Sequence, residues 1–267
     1  MLFVEYELAR RLENILCRWS VRFAQSQASL FPETGACAAQ IGGGTAIYAG
    51  VSSPVTKACG LGMNGPVSSA DMDEMHDFYS SKGVDAAIEV CPFADQSFLD
   101  QLNERGYRIS YFRNMWIREL PGAPLPELVP GRVTVRQVTA AESELWIQTV
   151  AKGFVEKENP EAEDMIIPHS LWPHSTCYLA LMDGEAAGGG AMAILDGTAY
   201  FYSVSTVGPF RRMGIQAAVM QALIRDAAGA GCGLAMVMTD AGGPSHRNME
   251  RQGFRLAYTR MTMFEPR

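Results

Sequence analysis

The apolar and polar positions of the second half of the chain alternate between two periods. Val133–Val138 alternates as a half-buried strand does, and Ala141–Phe154 follows the helical period. Thr176–Met182 predicts a strand, Asp183-Gly184 a hairpin turn, and Ala186–Leu195 a second strand interrupted by glycines. Asp196-Gly197 turns again into Thr198–Val207, the best strand of the chain, with Tyr200, Phe201, Tyr202 and Val204. Period 2 puts Tyr200, Tyr202 and Val204 on one face of it. Gly214–Gly229 predicts a helix with Ile215, Val219, Ala222 and Leu223 on one side. Leu234–Thr239 predicts a short apolar strand, Ser245–Gln252 a helix, and the run from Phe254 to Phe264 a terminal strand. One helix crosses between two strands of a meander, so the fold class is α+β.

The first half ends as the second does. Ser97–Arg105 predicts an amphipathic helix with Phe98, Leu99 and Leu102 apolar; Gly106 stops it and Tyr107 opens an extended run to Leu120. Gly253 and Phe254 stand in the same relation to the last helix. A glycine where a helix end favours left-handed geometry, followed by an anchoring aromatic, is thus repeated 147 residues apart. Carried back, that offset leaves no room for a full first strand in the N-terminal half, so the first copy is expected to be truncated. Pro121, Pro124, Pro126 and Pro130 predict a linker over residues 121–131, between domains at 1–120 and 132–267. Gly42-Gly43-Gly44 is read as a turn, since no Lys-Ser/Thr follows it.

Composition narrows the function. Hydrophobic residues make up 48% and charged ones 19%, as in a chain that buries a core. A net charge of -7 argues against a nucleic acid or an anionic membrane as partner. The six cysteines form no C-x-x-C pair and no metal-like cluster with the four histidines, and are read as reduced core thiols; no metal is expected. The N-terminus lacks an uninterrupted apolar stretch and no run approaches a membrane span, so a cytoplasmic location is expected.

The chemistry concentrates at Ser205-Thr206-Val207-Gly208-Pro209-Phe210-Arg211-Arg212-Met213-Gly214-Ile215-Gln216-Ala217. A strand ends, a turn follows, two arginines arrive and a glycine opens a helix. First-turn amides and the positive end of the helix dipole favour an anion there. The run resembles the pyrophosphate motif of the GNAT superfamily of acyl-CoA N-acyltransferases: Arg or Gln, two variable residues, Gly, one variable residue, then Gly or Ala. Arg211 and Gly214 fill that frame, and Gln216 stands where Gly or Ala is usual. The flanking elements, through Ser245-x-Arg247-Asn248-x-x-Arg251-x-Gly253-Phe254, follow the same family order.

The resemblance implies two GNAT-like domains, each a mixed, mostly antiparallel sheet with flanking helices, the first degenerate. It implies that Val204, Ser205, Thr206 and Val207 pair with pantetheine, and that Arg211, Arg212, Met213, Gly214, Ile215, Gln216 and Ala217 hold the pyrophosphate of coenzyme A. The reaction implied is transfer of an acetyl group from acetyl-CoA to a primary amine of a small molecule or peptide. Many relatives carry a tyrosine at the position of Met249 and an asparagine at that of Gly242, and neither residue here can take that part. Ser245 and Asn248 are then the candidates at the thiol end of the cofactor. Tyr200, Tyr202, His169 and His174 are candidates for the acceptor pocket, the histidines lying in a predicted loop, Phe154–Ser175, rich in Glu and Asp. In the first half the corresponding strand, around Lys57–Met63, leads into a helix with Asp73 and Glu74 in its first turn and no Arg-Gly pair. That charge repels a pyrophosphate. A protein that binds acyl-CoA without catalysis, and one that no longer binds it, stay open as alternatives.

Overall fold

A computed structural model describes residues 3–51, 53–120, 122, 132–243 and 245–265. Apart from Gly122, the proline-rich stretch expected as a linker lies outside the described residues. The chain forms two compact units that do not follow a single cut. Unit 1 takes the residues up to Met115, Thr239–Gly242 and the C-terminal stretch from Leu256; unit 2 takes Trp116–Met238 and Gly243–Arg255.

In chain order the elements begin with α1 (Tyr6–Leu30), β1 (Cys37–Ile41), β2 (Gly44–Tyr48), β3 (Lys57–Cys59), α2 (Ser69–Ser80), β4 (Ala87–Val90), α3 (Gln96–Glu104) and β5 (Arg108–Glu119). They continue with β6 (Val133–Gln137), α4 (Ser143–Val155), α5 (Ala162–Leu171), β7 (Thr176–Met182), β8 (Glu185–Leu195), β9 (Thr198–Thr206), α6 (Ile215–Gly229), β10 (Leu234–Asp240), α7 (Ser245–Arg251) and β11 (Arg255–Phe264). Each unit is a mixed sheet with flanking helices, as the resemblance implies.

In unit 1 the sheet runs β1-β2-β3-β4-β11. β1 and β2 form a hairpin through Gly42 and Gly43, both at positive φ, so this glycine run is a turn as expected. β3 ends at Cys59 rather than near Met63, because Gly60 and Gly62 turn the chain with φ of 77° and 71°. The last strand of the chain, β11, pairs antiparallel with β4 from Met261↔Val90 to Phe264↔Ala87. It is fixed there by a buried ionic cluster. Arg260, 1% exposed, bonds Glu13 of α1 through Nη2 (2.9 Å) and pairs with Glu89 of β4 through Nη1. Lys57 Nζ lies 2.9 Å from Glu89, and Tyr258 donates its hydroxyl to Glu13 at 2.9 Å. Met72, Met75 and Tyr79 of α2 pack with Ile88, Val90, Phe98 and Leu102 in the core of this unit.

In unit 2 the order is β10-β9-β8-β7-β6, with β9 and β10 parallel and the others antiparallel. α4 covers one face, placing Val150 and Trp146 against Gly189; α6 covers the other, placing Ile215 against Gly188 and Val219 against Gly190. A side chain at any of these three glycines would lie within 3 Å of a neighbour, so β8 accepts a helix on each face only because it carries none.

The repeated helix endings match bond for bond. Tyr107 N–H donates to Leu102 O and Phe254 N–H to Met249 O; Gly106 donates to Asn103 O and Gly253 to Glu250 O. Both glycines are left-handed, at 72° and 73°, and both aromatics are buried. These are paired Schellman turns with their hydrophobic anchors.

Candidate functional site

β9 carries the first part of the site and departs from a regular strand at its centre. Opposite β8, Gly189 pairs with Ser205 and Ala191 with Tyr202, so Ser203 and Val204 together face Gly190. Ser203 takes φ 53°, the signature of a bulge. The extra residue moves Val204 to the other face. Its side chain lies beside the position of Gly190 together with Val219 and Leu223 of α6, whereas Tyr200 and Tyr202 occupy the α4 face. The expectation that Tyr200, Tyr202 and Val204 share a face is therefore corrected, because strict alternation does not survive a bulge.

Past the bulge, Ser205 turns toward α4. Its hydroxyl donates to Val150 O at 3.3 Å, and Gly153 lies so close that a Cβ there would stand 2.6 Å from Ser205 Oγ. On its other edge β9 pairs with β10 from Thr198↔Leu234 to Phe201↔Val237, where the register ends. The edge of β9 from Tyr202 to Thr206 thus leaves its parallel neighbour and can take an extended ligand arm by backbone pairing.

β9 leads into a tight turn, Gly208–Phe210, then Arg211 in extended geometry, Arg212 at φ 64° and Gly214 at φ 86°. The left-handed conformation of Arg212 costs of order 1–3 kcal/mol in a residue that bears a side chain. Gly214 caps α6. A Cβ there would meet nothing within 4 Å, so its backbone conformation rather than crowding calls for glycine. The helical ladder starts with Ala218 N–H to Gly214 O, and the amides of Ile215, Gln216 and Ala217 precede it. Those amides, the dipole of a fifteen-residue helix and the open space above Gly214 fit a pyrophosphate.

The arginines behave differently from the amides. Arg211 Nη2 lies 2.9 Å from Glu156 Oε1 and 3.5 Å from Gly153 O at the end of α4. Both charged side chains are largely exposed. Arg212 is exposed. The sequence pattern places Glu156 in the acidic stretch Phe154–Ser175 and does not tie it or Gly153 to Arg211. Glu156 caps α4 in left-handed geometry, φ 57°, and no local pattern announces that.

α7 brings Asn248 to this loop: its Nδ2 donates to Gln216 Oε1 in the first turn of α6. Ser245 begins α7 and is half-buried. Met249 is 2% exposed and packs in the core with Trp116 and Phe254.

Of the acceptor candidates, Tyr200 and Tyr202 are buried, with ring centroids 5.1 Å apart. Tyr202 OH and Ser175 Oγ are 2.7 Å apart. His174 precedes Ser175 and is exposed, while His169 Nε2 lies 3.8 Å from Glu144 Oε2. The segment expected as a loop, Phe154–Ser175, contains α5. A capping box of Glu161 and Asp164 starts that helix, and Pro168 inside it masks the helical period. Among the described residues no helix is long and apolar enough to cross a membrane, and no group of three or more metal-ligating side chains could hold a metal ion.

The sequence model of the acetyltransferase (GNAT) family matches residues 143–254, which span α4 to the Schellman turn after α7. No curated protein matches the chain. Among solved structures, a GCN5-related N-acetyltransferase from Kribbella flavida is 19% identical with a TM-score of 0.66, covering 93% of this chain and 96% of its own. A tandem GNAT protein from the clavulanic acid biosynthesis pathway is 11% identical with a TM-score of 0.59, covering 84% of this chain and 78% of its own. At these identities the likeness is one of fold. The match to the family model supports acyl transfer from acyl-CoA as the class of reaction. Residues 143–254 thus match the model of the acetyltransferase (GNAT) family, and along nearly its whole length the chain has the fold of a GNAT protein with two such units.

Proposed function

We propose that unit 2 is an N-acetyltransferase that moves the acetyl group of acetyl-CoA to a primary amine of a small molecule or peptide. The observation that carries this reading is the conjunction of two features at one end of β9: the edge that leaves β10 after Phe201, and the unladdered amides of Ile215–Ala217 with Gly214. The amides hold the pyrophosphate, with Arg211 and Arg212 supplying positive charge, and the backbone from Val204 to Val207 pairs with the pantetheine arm.

Catalysis then rests chiefly on positioning. A neutral amine attacks the thioester carbonyl, a backbone N–H of β9 stabilises the charge that develops on its oxygen, and the thiolate leaves with a proton. Tyr200, Tyr202 and the His169 and His174 region border the acceptor. Ser245 and Asn248 are the candidates for contact with the thiol end, although Asn248 donates to Gln216 and so borders the pyrophosphate turn as well.

Met249 supports a second reading, in which the protein binds acyl-CoA without turning it over. A buried thioether replaces the usual phenol and has no proton to give. Incubation with acetyl-CoA and a broad panel of amines, with free thiol followed over time, decides between them. Thiol release that depends on an amine supports the enzyme. Tight CoA binding with no release from any amine supports the sensor, and no CoA binding in calorimetry sinks both.

A further inference from the structure

Cys17 on α1 and Cys59 at the end of β3 are distant in sequence, yet their Sγ atoms lie 2.9 Å apart. Both belong to unit 1 and are buried, at 8% and 4% exposure. Non-bonded heavy atoms normally rest about 3.5–4.0 Å apart. The two sulfurs are therefore pressed into direct contact, with Ala24, Ile47 and Val55 packed around them. Gly60 completes the enclosure: a Cβ there would stand 2.6 Å from Cys17 Sγ, so the chain leaves room for that sulfur by omitting a side chain. The other four cysteines are not paired with one another in this way among the described residues, and the acyl-transfer reading uses none of the six.

We propose that Cys17 and Cys59 form a modification site, a dithiol that a hydroperoxide converts into an intramolecular disulfide joining α1 to β3. Either thiol can donate to the other, and the contact with Cys17, followed by burial, pushes the Cys59 thiol well up. Cys17, the more exposed of the two, reacts first. Its thiolate attacks the O–O bond of the hydroperoxide and takes the hydroxyl oxygen; the sulfur becomes a sulfenic acid and the alcohol leaves with the thiol proton. Cys59 Sγ then attacks Cys17 Sγ; the S–O bond breaks, and the departing hydroxide takes the Cys59 proton as water. Two thiols and one hydroperoxide yield one disulfide, one alcohol and one water, with two electrons passing from sulfur to oxygen. A disulfide bond measures about 2.0 Å, so the sulfurs need close by only about 0.9 Å.

The test is made on the folded full chain with hydrogen peroxide as the probe. After exposure the protein is denatured, alkylated with iodoacetamide and weighed intact, and non-reduced peptides are mapped. The expected result is that two of the six cysteines escape alkylation, in a linked peptide pair containing Cys17 and Cys59 that dithiothreitol separates. Thermal unfolding should rise by several degrees in the oxidised form. In Cys59→Ser, Cys17 should stop at the sulfenic acid and take up dimedone. Full alkylation after a dose that oxidises exposed methionines overturns the proposal, as does a linked pair containing another cysteine or over-oxidation of Cys17 in the parent protein. The parent peptide map decides the matter even where Cys59→Ser does not fold.

Discussion

The ion pair of Arg211 and Glu156 sets up a competition that can be weighed. An Arg211 that meets a pyrophosphate must first leave Glu156, 2.9 Å away, with the two side chains 45% and 65% exposed. Exposed pairs of this kind are worth about 0.2–1 kcal/mol. Glu156→Gln removes that competition while keeping a residue of the same shape at φ 57°, so it should tighten CoA binding by roughly 1.4- to 5-fold. Arg211→Gln removes a charge-assisted hydrogen bond of roughly 1.5–3 kcal/mol and should weaken binding about 10- to 150-fold. Once Arg211 is gone there is nothing for Glu156 to sequester, so adding Glu156→Gln to Arg211→Gln should change little, a coupling read from the double-mutant cycle. Isothermal titration calorimetry with CoA at low and moderate salt provides the measurement, and the effects of both substitutions should shrink as salt rises. Weaker binding in Glu156→Gln, or unchanged binding in Arg211→Gln, would refute the assignment of Arg211 to the cofactor.

Three further outcomes follow from other parts of the fold. Gly153→Ala should destabilise the protein and weaken CoA binding, although alanine is favoured over glycine by about 1 kcal/mol inside a helix. Its Cβ would meet Ser205 Oγ at 2.6 Å, and overpacking costs about 1–3 kcal/mol; urea unfolding that shows a gain in stability would overturn this. Arg260→Met should cost about 3–5 kcal/mol in denaturant titration by stranding Glu13, and adding Glu13→Gln should recover part of it; a single variant as stable as the parent would contradict the role given to the cluster. Glu89 is pushed up by burial but pulled further down by Arg260, Lys57 and Arg113, from an ordinary 4.5 to about 2. Its contribution is therefore full above about pH 4.5 and lost as pH falls toward 2. Glu13, pushed up by burial against Arg260 and Tyr258, has the opposite sign: its penalty is present at neutral pH and relieved on acidification. Glu89→Gln should flatten the stability curve over the acid range, and an unchanged curve would show that another group carries the acid dependence.

Much of unit 2 was legible because its local signals agree with its tertiary fate. Asp183-Gly184 and Asp196-Gly197 adopt the left-handed turn geometry that such pairs favour, and Thr176–Met182 is a strand over the very residues predicted for one. Gly106 and Gly253 were readable for the same reason, since only the helix ending needs them. What stayed hidden depends on partners remote in sequence. The bulge at Ser203 has no turn residue of its own. Its trace is the glycine run of β8 opposite, which the chain pattern records only as an interrupted strand. The place of β11 beside β4 is fixed by Arg260 meeting Glu13 and Glu89, residues separated from it by most of the chain. No periodicity encodes such a choice of neighbour.

The contrast between the two units shows why the shared helix ending does not imply a shared ligand. In unit 1 the parallel pair β3 and β4 meets at a single position, Ala58↔Ile88, so an opening like that between β9 and β10 could form there. It is closed instead. Asp95 N–H donates to Gly62 O at 2.8 Å, and a Cβ on Gly62 would stand 3.0–3.2 Å from Asp95, Ala94 and Phe98, which leaves no width for a pantetheine arm. At the start of α2 the side chain of Ser68 caps Asp71 N–H, and the Asp71 carboxylate accepts from Ser68 N–H and is held below its ordinary value by the Ser68 side chain and backbone. The acid in the first turn of α2 is Asp71 rather than the expected Asp73 and Glu74, because the helix starts at Ser69, and its negative charge stands where a phosphate would approach. Both observations point to one CoA per chain, bound by unit 2. Calorimetry that finds two equivalent sites, or binding that survives loss of Arg211 and Gly214 together, would place the ligand where this geometry has no room for it.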